Sequence, residues 1–263
     1  PPLQSASTIR TSAPSMSATP SGDVPDELRV RSTWLQRAWT LAGTAAILMS
    51  FFTTARLVAA SSTVVTDSLA VALAVWAAYS VADLTTGVYH WFIDNYGDAG
   101  TPVFGAQIVA FHDHHVHPTA ITRLEPCNSL HVIAGTVAVA LPAVDAALLY
   151  FAGGSSPAAA HAFACTFAVC VMLSVQFHAW AHERPSRLPP GVEALQAAGV
   201  LVSRSQHAGH HRPPYNSNYC TVSGMWNWAL DGYKVFLAVE KVIYLATGAP
   251  PRSWRMKMTE HGV

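Results

Sequence analysis

The chain of 263 residues, long enough for one large domain or a compact membrane bundle, is 51% hydrophobic and only 11% charged, with a mean hydropathy of +0.27. A soluble domain carries about 25% charged residues, so this composition indicates a membrane protein, and a formal net charge of zero excludes the basic footprint of a nucleic-acid-binding protein. The four cysteines, Cys127, Cys165, Cys170 and Cys220, have no CxxC spacing, which excludes a disulfide framework and a zinc finger; a single Cys127–Cys220 pairing is left open.

In chain order, residues 1–22 are rich in Ser, Thr, Ala and Pro, include Arg10 and contain no acid. That is the composition of a plastid or mitochondrial transit segment or its disordered remnant, and the disordered stretch is assigned to 1–29; a featureless tail is the plain alternative. Four apolar stretches follow, at 38–59, 68–89, 130–151 and 158–180. Each has about the 20 residues that a helix needs to cross a ~30 Å hydrocarbon core. Arg56 can snorkel from the end of the first. Asp83, near the end of the second, is costly in lipid and therefore a functional candidate. Short turns, Ser61–Thr63 and Gly153–Pro157, join the spans in pairs.

With the N-terminus on side one of the membrane, the long loop 90–129 and everything after 181 also lie on side one. Fourteen of the 15 Lys and Arg residues then fall on that side, Arg56 being the exception, and such a bias sets orientation. Beyond the fourth span, 191–202 has the mostly apolar helical character of an interfacial segment, and 212–220 is a Pro/Asn-rich loop. Residues 225–247 bring Trp226, Trp228, Tyr233, Phe236 and Tyr244, the aromatics of an interfacial belt; 256–263 is a tail. The expected architecture is all-α and integral to the membrane: about four transmembrane helices with a helical metal-binding cap on one side.

That topology gathers eight histidines. His90 ends the second span, His114 and His115 precede the third, His178 and His182 end the fourth, and His207, His210 and His211 follow it. Neutral imidazole is the commonest transition-metal ligand, and with almost no Cys or carboxylate nearby the set suits iron rather than calcium, magnesium or structural zinc. On a helix the HAWAH spacing of His178 and His182 aligns both rings on one face, as does QHAGHH for His207, His210 and His211. The adjacent His114 and His115 differ by about 100° around a helix, so either they reach two metals or one ligates and the other supports. One mononuclear ion takes three or four protein ligands; eight imidazoles suit two. Asp94, four residues after His90, can orient that ring as carboxylates behind metal-bound histidines do, or is a helix-end carboxylate in water, and Asp113 can act likewise; His112 and His117 flank the histidine pair, either as ligands or in supporting or solvated roles. His131 is supporting or interfacial, and His161, at the far end of the fourth span, is expected to tolerate replacement. Arg123 and Arg212 either touch a lipid phosphate or simply carry the positive-inside bias.

The segments DLTTGVYHWFID (83–94), HHVHPTAITR (114–123), QFHAWAH (176–182) and SRSQHAGHHRPPYNSNYC (203–220) resemble the membrane lipid desaturase family that includes plasmanylethanolamine desaturase (the Kua-type domain) and the plastid palmitate desaturase acting on phosphatidylglycerol. The resemblance covers roughly residues 30–255 and is stronger to the plastid branch. It implies a membrane-bound enzyme with two iron ions held by His90, His114, His115, His178, His182, His207, His210 and His211. It also implies molecular oxygen as co-substrate, electrons from ferredoxin or a similar donor, and a trans double bond at carbon 3 of palmitate in phosphatidylglycerol. A plastid membrane with the metal site and N-terminus on the stromal side follows from the same branch, the endoplasmic reticulum being the alternative. His112 and His117 depart from the family's fixed motif positions. Formation of a vinyl ether lipid, or hydroxylation on the same site, are the neighbouring activities. A metal transporter would instead line its spans with ionisable residues, and here the span interiors are mostly Ala, Val and Leu.

Overall fold

The computed structural model describes residues 29–152 and 157–260. The transit-like stretch up to residue 28, most of the turn at 153–156 and His261 lie outside the described residues. Four long helices dominate: α1 (Trp34–Ala59), α2 (Val64–Asn95), α4 (Pro126–Phe151) and α5 (Ala158–His182), each long and apolar enough to cross a membrane. Between α2 and α4 lies the short α3 (Gly105–Val116), and after α5 come α6 (Val192–Ala197), α7 (Arg204–His210), α8 (Asn227–Gly232), α9 (Val235–Thr247) and α10 (Arg252–Glu260). Among the described residues, the one strand-like pairing is an isolated bridge between Val30 and Leu124. The expected spans and helical cap are present; α10 continues helical past the expected boundary at 255.

α1 starts at a capping box. Thr33 accepts from the backbone of Gln36, whose side chain in turn accepts from the backbone N–H of Thr33, so two of the donors left open at a helix start are satisfied. α1 lies against α4 so closely that a Cβ on Gly43 would sit 2.5 Å from the carbonyl oxygen of Ala134. Lipid tails are as apolar as leucine, so helices in a bilayer associate through such small-residue packing. Ile47, Ala134, Val137, Leu141, Cys165, Ala168 and Met172 fill the core where α1, α4 and α5 meet.

At the far end of that core is a buried polar cluster. His161 is fully enclosed, its Nδ1 is 2.7 Å from Asp145 Oδ1, and Ser50 donates to the same oxygen at 3.0 Å. These three residues join α5, α4 and α1. His161 is therefore no bystander, contrary to the expectation from its position in the span. It is a fixed part of a three-helix contact.

At the other end α2 outruns the bilayer. Its 32 residues span about 48 Å at ~1.5 Å per residue, against a hydrocarbon core of ~30 Å. Residues beyond Asp83 therefore rise out of the apolar layer and meet the chain that returns after α5. Asp83 itself turns both carboxylate oxygens to backbone. It is fully buried, and its Oδ1 accepts the backbone N–H groups of Val222, Ser223 and Gly224 at 3.1, 2.7 and 2.9 Å, while Oδ2 accepts that of Trp226 at 3.3 Å. The intramembrane acid is thus an anchor for the 212–226 loop. The loop lies close enough to α2 that a Cβ on Gly87 would meet the Cys220 sulfur at 2.4 Å. Cys127 and Cys220 are both free thiols, so the open disulfide pairing does not form.

The aromatic belt is only partly a belt. Trp228 and Tyr233 are exposed, but Trp226 donates to Ser80 on α2 and Phe236 stacks on Trp91. Buried Glu240 of α9 accepts from Trp91 at 3.0 Å and from Trp254 at 2.7 Å.

Candidate metal centre

The histidines converge where α2 and α5 leave the bundle, and they form two groups. His114, His178, His182, His207 and His211 make one, and His90, Asp94, His115 and His210 make the other; within each group one ligand atom per residue lies within 4.8 Å of the rest. Helical spacing accounts for the sorting. His178 and His182 on α5 are one turn apart and join the first group. His90 and Asp94 on α2 are related in the same way and join the second. His207 and His211 share a group while His210, rotated from both, enters the other. The adjacent His114 and His115 of α3 point to different groups, each of which could hold a metal ion.

Within the five-histidine group the Nε2 atoms face one another: His114 to His178 at 2.8 Å, His182 to His207 at 2.7 Å and His207 to His211 at 3.1 Å. In the second group His115 and His210 approach through Nε2 at 2.9 Å, and Asp94 Oδ2 lies 3.5, 3.6 and 3.4 Å from Nε2 of His90, His115 and His210. Two neutral imidazoles have little reason to point lone pairs at each other. Ligands at right angles around an ion with metal–nitrogen distances of about 2.1 Å, however, are about 3 Å apart. His90 Nε2 and both carboxylate oxygens of Asp94 are buried and without a hydrogen-bond partner, a cost that bound metal would remove. The residues fit a pair of metal ions.

Asp94 thus stands among the residues that could hold a metal, beside its expected role of orienting His90. Backbone carbonyls orient the rings as well. His90 Nδ1 donates to the carbonyl of Tyr219 at 3.0 Å and His210 Nδ1 to that of Ser217 at 2.9 Å, which fixes the tautomer that leaves Nε2 free for metal. Both carbonyls belong to the loop held by Asp83. Tyr215 in the same loop stacks on His115 with centroids 4.4 Å apart and planes 7° from parallel, and Phe111 meets His90 edge-on at 5.1 Å. No side-chain pattern announces a carbonyl acceptor, so Ser217 and Tyr219 were not legible as partners of the histidines.

The other candidates fall outside both groups. His112 lies beside the centre, its Nε2 3.3 Å from the Asp94 carbonyl and 2.6 Å from Arg252. His117 is exposed, its ring Nδ1 lies 3.3 Å from Asp113, four residues back, and it is not brought to either donor group. His131 Nδ1 turns to the Asn128 carbonyl at 2.7 Å. Arg123 and Arg212 are exposed on the surface.

Burial keeps the imidazoles neutral. It pushes His114 and His211 down to about 4 and, reinforced by His210 and His211, His115 to about 2. His207 and His210 are held well below the ordinary imidazole range by burial and by the neighbouring rings. Neutral imidazole is the metal-binding form.

Comparison with known proteins agrees with this geometry. The lipid desaturase domain matches residues 79–254. The chain is 49% identical over 225 residues to fatty acid desaturase 4, chloroplastic, of Arabidopsis thaliana, covering 84% of this chain and 65% of that protein, so it spans a little under two thirds of that relative's length. It is 32% identical over 181 residues to the plasmanylethanolamine desaturase of Myxococcus xanthus, covering 68% of this chain and 62% of that one. To plasmanylethanolamine desaturase 1 of Mus musculus it is 31% identical over 198 residues, covering 72% and 71%. No solved structure matches. With the domain matched over most of its folded length and its motif histidines drawn into paired metal groups, this chain belongs to the lipid desaturase family.

Proposed function

We propose that the chain is an oxygen-dependent fatty acid desaturase of a membrane glycerolipid, working with two iron ions. The observation that carries this reading is the division of eight histidines and Asp94 into two adjacent donor groups at one end of a membrane bundle. Imidazole donors with a single carboxylate and no thiolate suit iron, whereas calcium and magnesium want oxygen and structural zinc a closed set of four. Bound iron supplies the oxygen chemistry needed to remove hydrogen from an unactivated methylene.

The chain's own residues do the positioning. His114, His178, His182, His207 and His211 hold one ion; His90, Asp94, His115 and His210 hold the other. The Tyr219 and Ser217 carbonyls aim His90 and His210. The rings of Tyr215 and Phe111 cover His115 and His90 and keep water from their faces. α2 and α5 lead from the lipid-facing surface to the donor groups, along which one carbon of an acyl chain can be brought up and held.

The substrate on this reading is phosphatidylglycerol and the product a trans-3 double bond in its palmitate. Electrons come from a ferredoxin-type donor, and the protein sits in a plastid membrane with its metal groups toward the stroma. Similarity of 44–49% to three chloroplastic desaturases supports this branch. The weaker similarity to two plasmanylethanolamine desaturases favours a second reading, formation of a vinyl ether lipid with the same metal groups. Lipid profiling by class, in a host expressing the chain with a plastid-type ferredoxin system, separates them. A trans-3-hexadecenoyl group confined to phosphatidylglycerol is the expected product. A vinyl ether selects the second reading, a hydroxylated chain makes the protein a hydroxylase, and an unchanged lipidome with iron bound removes the substrate assignment.

A further inference from the structure

The end of α2 that carries Asp94 is clasped by the C-terminal segment. Arg252, at the start of α10, donates from Nη1 to the Asp94 carbonyl at 2.5 Å and to His112 Nε2 at 2.6 Å, and from Nη2 to the Gly97 carbonyl at 2.9 Å. The Ser253 N–H donates to Asn95 Oδ1 at 3.2 Å, while Asn95 Nδ2 donates to the Tyr219 hydroxyl at 2.9 Å. Trp254 and Trp91 hold the two oxygens of Glu240 between α10, α9 and α2. The contacts on Trp91, Asp94, Asn95 and Gly97 fall on the last turns of α2 or just beyond.

The last four carbonyls of a helix have no partner within it, and the helix dipole makes that end negative. The Asp94 carbonyl is one of them. A planar guanidinium with five donors answers both conditions. Through His112, which lies three residues before His115 on α3, Arg252 also ties together the two helices that present Asp94 and His115. The five-histidine group draws nothing from α2: its members come from α3, α5, α7 and the residue after α7. The two arms of Arg252 on the Asp94 and Gly97 carbonyls therefore bear on one group alone, while the arm on His112 reaches α3, which presents His114 as well as His115.

We propose that Arg252 is a positioning residue for the His90–Asp94–His115–His210 group, fixing the backbone from which the Asp94 carboxylate is aimed and so controlling occupancy of that metal position alone. This rests on the two-iron reading given above. With four donors against five, that position is the weaker of the two, filled last and emptied first.

The test is an iron titration of the full chain, purified in detergent and reconstituted anaerobically, with Mössbauer spectra to count distinct iron environments and thermal unfolding recorded in parallel. Wild type is expected to bind two ions in two environments. Arg252→Ala should retain the first with unchanged affinity and bind the second about 10–100-fold more weakly, the usual loss when a residue behind a ligand is removed. Arg252→Lys, which keeps the charge but not the fork, should recover part of it, and Asp94→Ala should give the same single-iron spectrum. An Arg252→Ala protein with two ions at wild-type affinity overturns the proposal, as does loss of both ions together, which would make the contact a general prop of the fold. If Arg252→Ala does not fold, Arg252→Gln keeps two donors but not the fork or the charge; it should weaken only the second ion, and unchanged affinity for both overturns the proposal. A wild-type protein that binds no iron instead overturns the two-iron reading itself.

Discussion

Eight imidazoles packed with their lone pairs converging are tolerable only while they stay neutral. With His114 and His211 at about 4 in the fold and about 6.5 in the unfolded chain, the unfolded chain binds more protons across that interval. The metal-free fold therefore loses stability as pH falls from about 6.5 toward 4. Its unfolding midpoint in detergent should drop between pH 7.5 and 5, and a flat profile would contradict the burial of these rings. The two groups should also respond unequally to ligand loss. His114→Ala leaves four donors in its group, a number that still satisfies a metal ion. His115→Ala leaves three, so it should lose more iron per chain than His114→Ala when both are assayed by elemental analysis. The histidine spacings were legible because helical periodicity sorts them. Asp94 was legible only as a neighbour of His90, since nothing in a linear sequence shows that His115 and His210 close on the same carboxylate.

The loop 212–226 is rigid because α2 holds it at two points, Asp83 and Gly87. Asp83→Ala would strand four backbone N–H groups at up to 1–3 kcal/mol each, and a net loss of about 3 kcal/mol or more is expected in thermal unfolding. At Gly87 the obstacle is a single sulfur, 2.4 Å from where a Cβ would stand, while the Cys220 backbone is at 3.4 Å or beyond. Gly87→Ala should therefore destabilise the protein, and Cys220→Ala should restore part of the loss. Additive effects in that double-mutant cycle would show that the two residues do not meet. The four spans were read from composition to within a few residues at most of their ends. The extra turns of α2 were not, because its apolar run stops near residue 89 and the helix persists to Asn95 through packing against the returning loop. The short α3, α8 and α10 escaped for a related reason: they are stabilised by what they touch, and tertiary packing leaves little periodic trace in 6 to 12 residues.

Across the whole molecule, two polar contacts sit at opposite ends of an otherwise apolar bundle. His178 is 17 residues from His161 along α5, about 25 Å at ~1.5 Å per residue. His161→Ala removes the partner of Asp145 inside the three-helix contact and opens a cavity, a loss of about 3 kcal/mol. Iron per folded chain should nevertheless stay at the wild-type value. A variant that folds with wild-type stability would show that the contact is dispensable; one that folds but lacks iron would show that the two ends are coupled.

The polar contact at the far end has a consequence for genetics. A search for inactive alleles will return His161 and Asp145 alongside the proposed metal ligands, and histidine identity alone would enrol a ninth member in the centre. The two kinds of allele should separate by temperature and dosage. Changes at His161 should be rescued by growth in the cold or by overexpression, because they lower the amount of folded protein. Changes at the ligands should be rescued by neither.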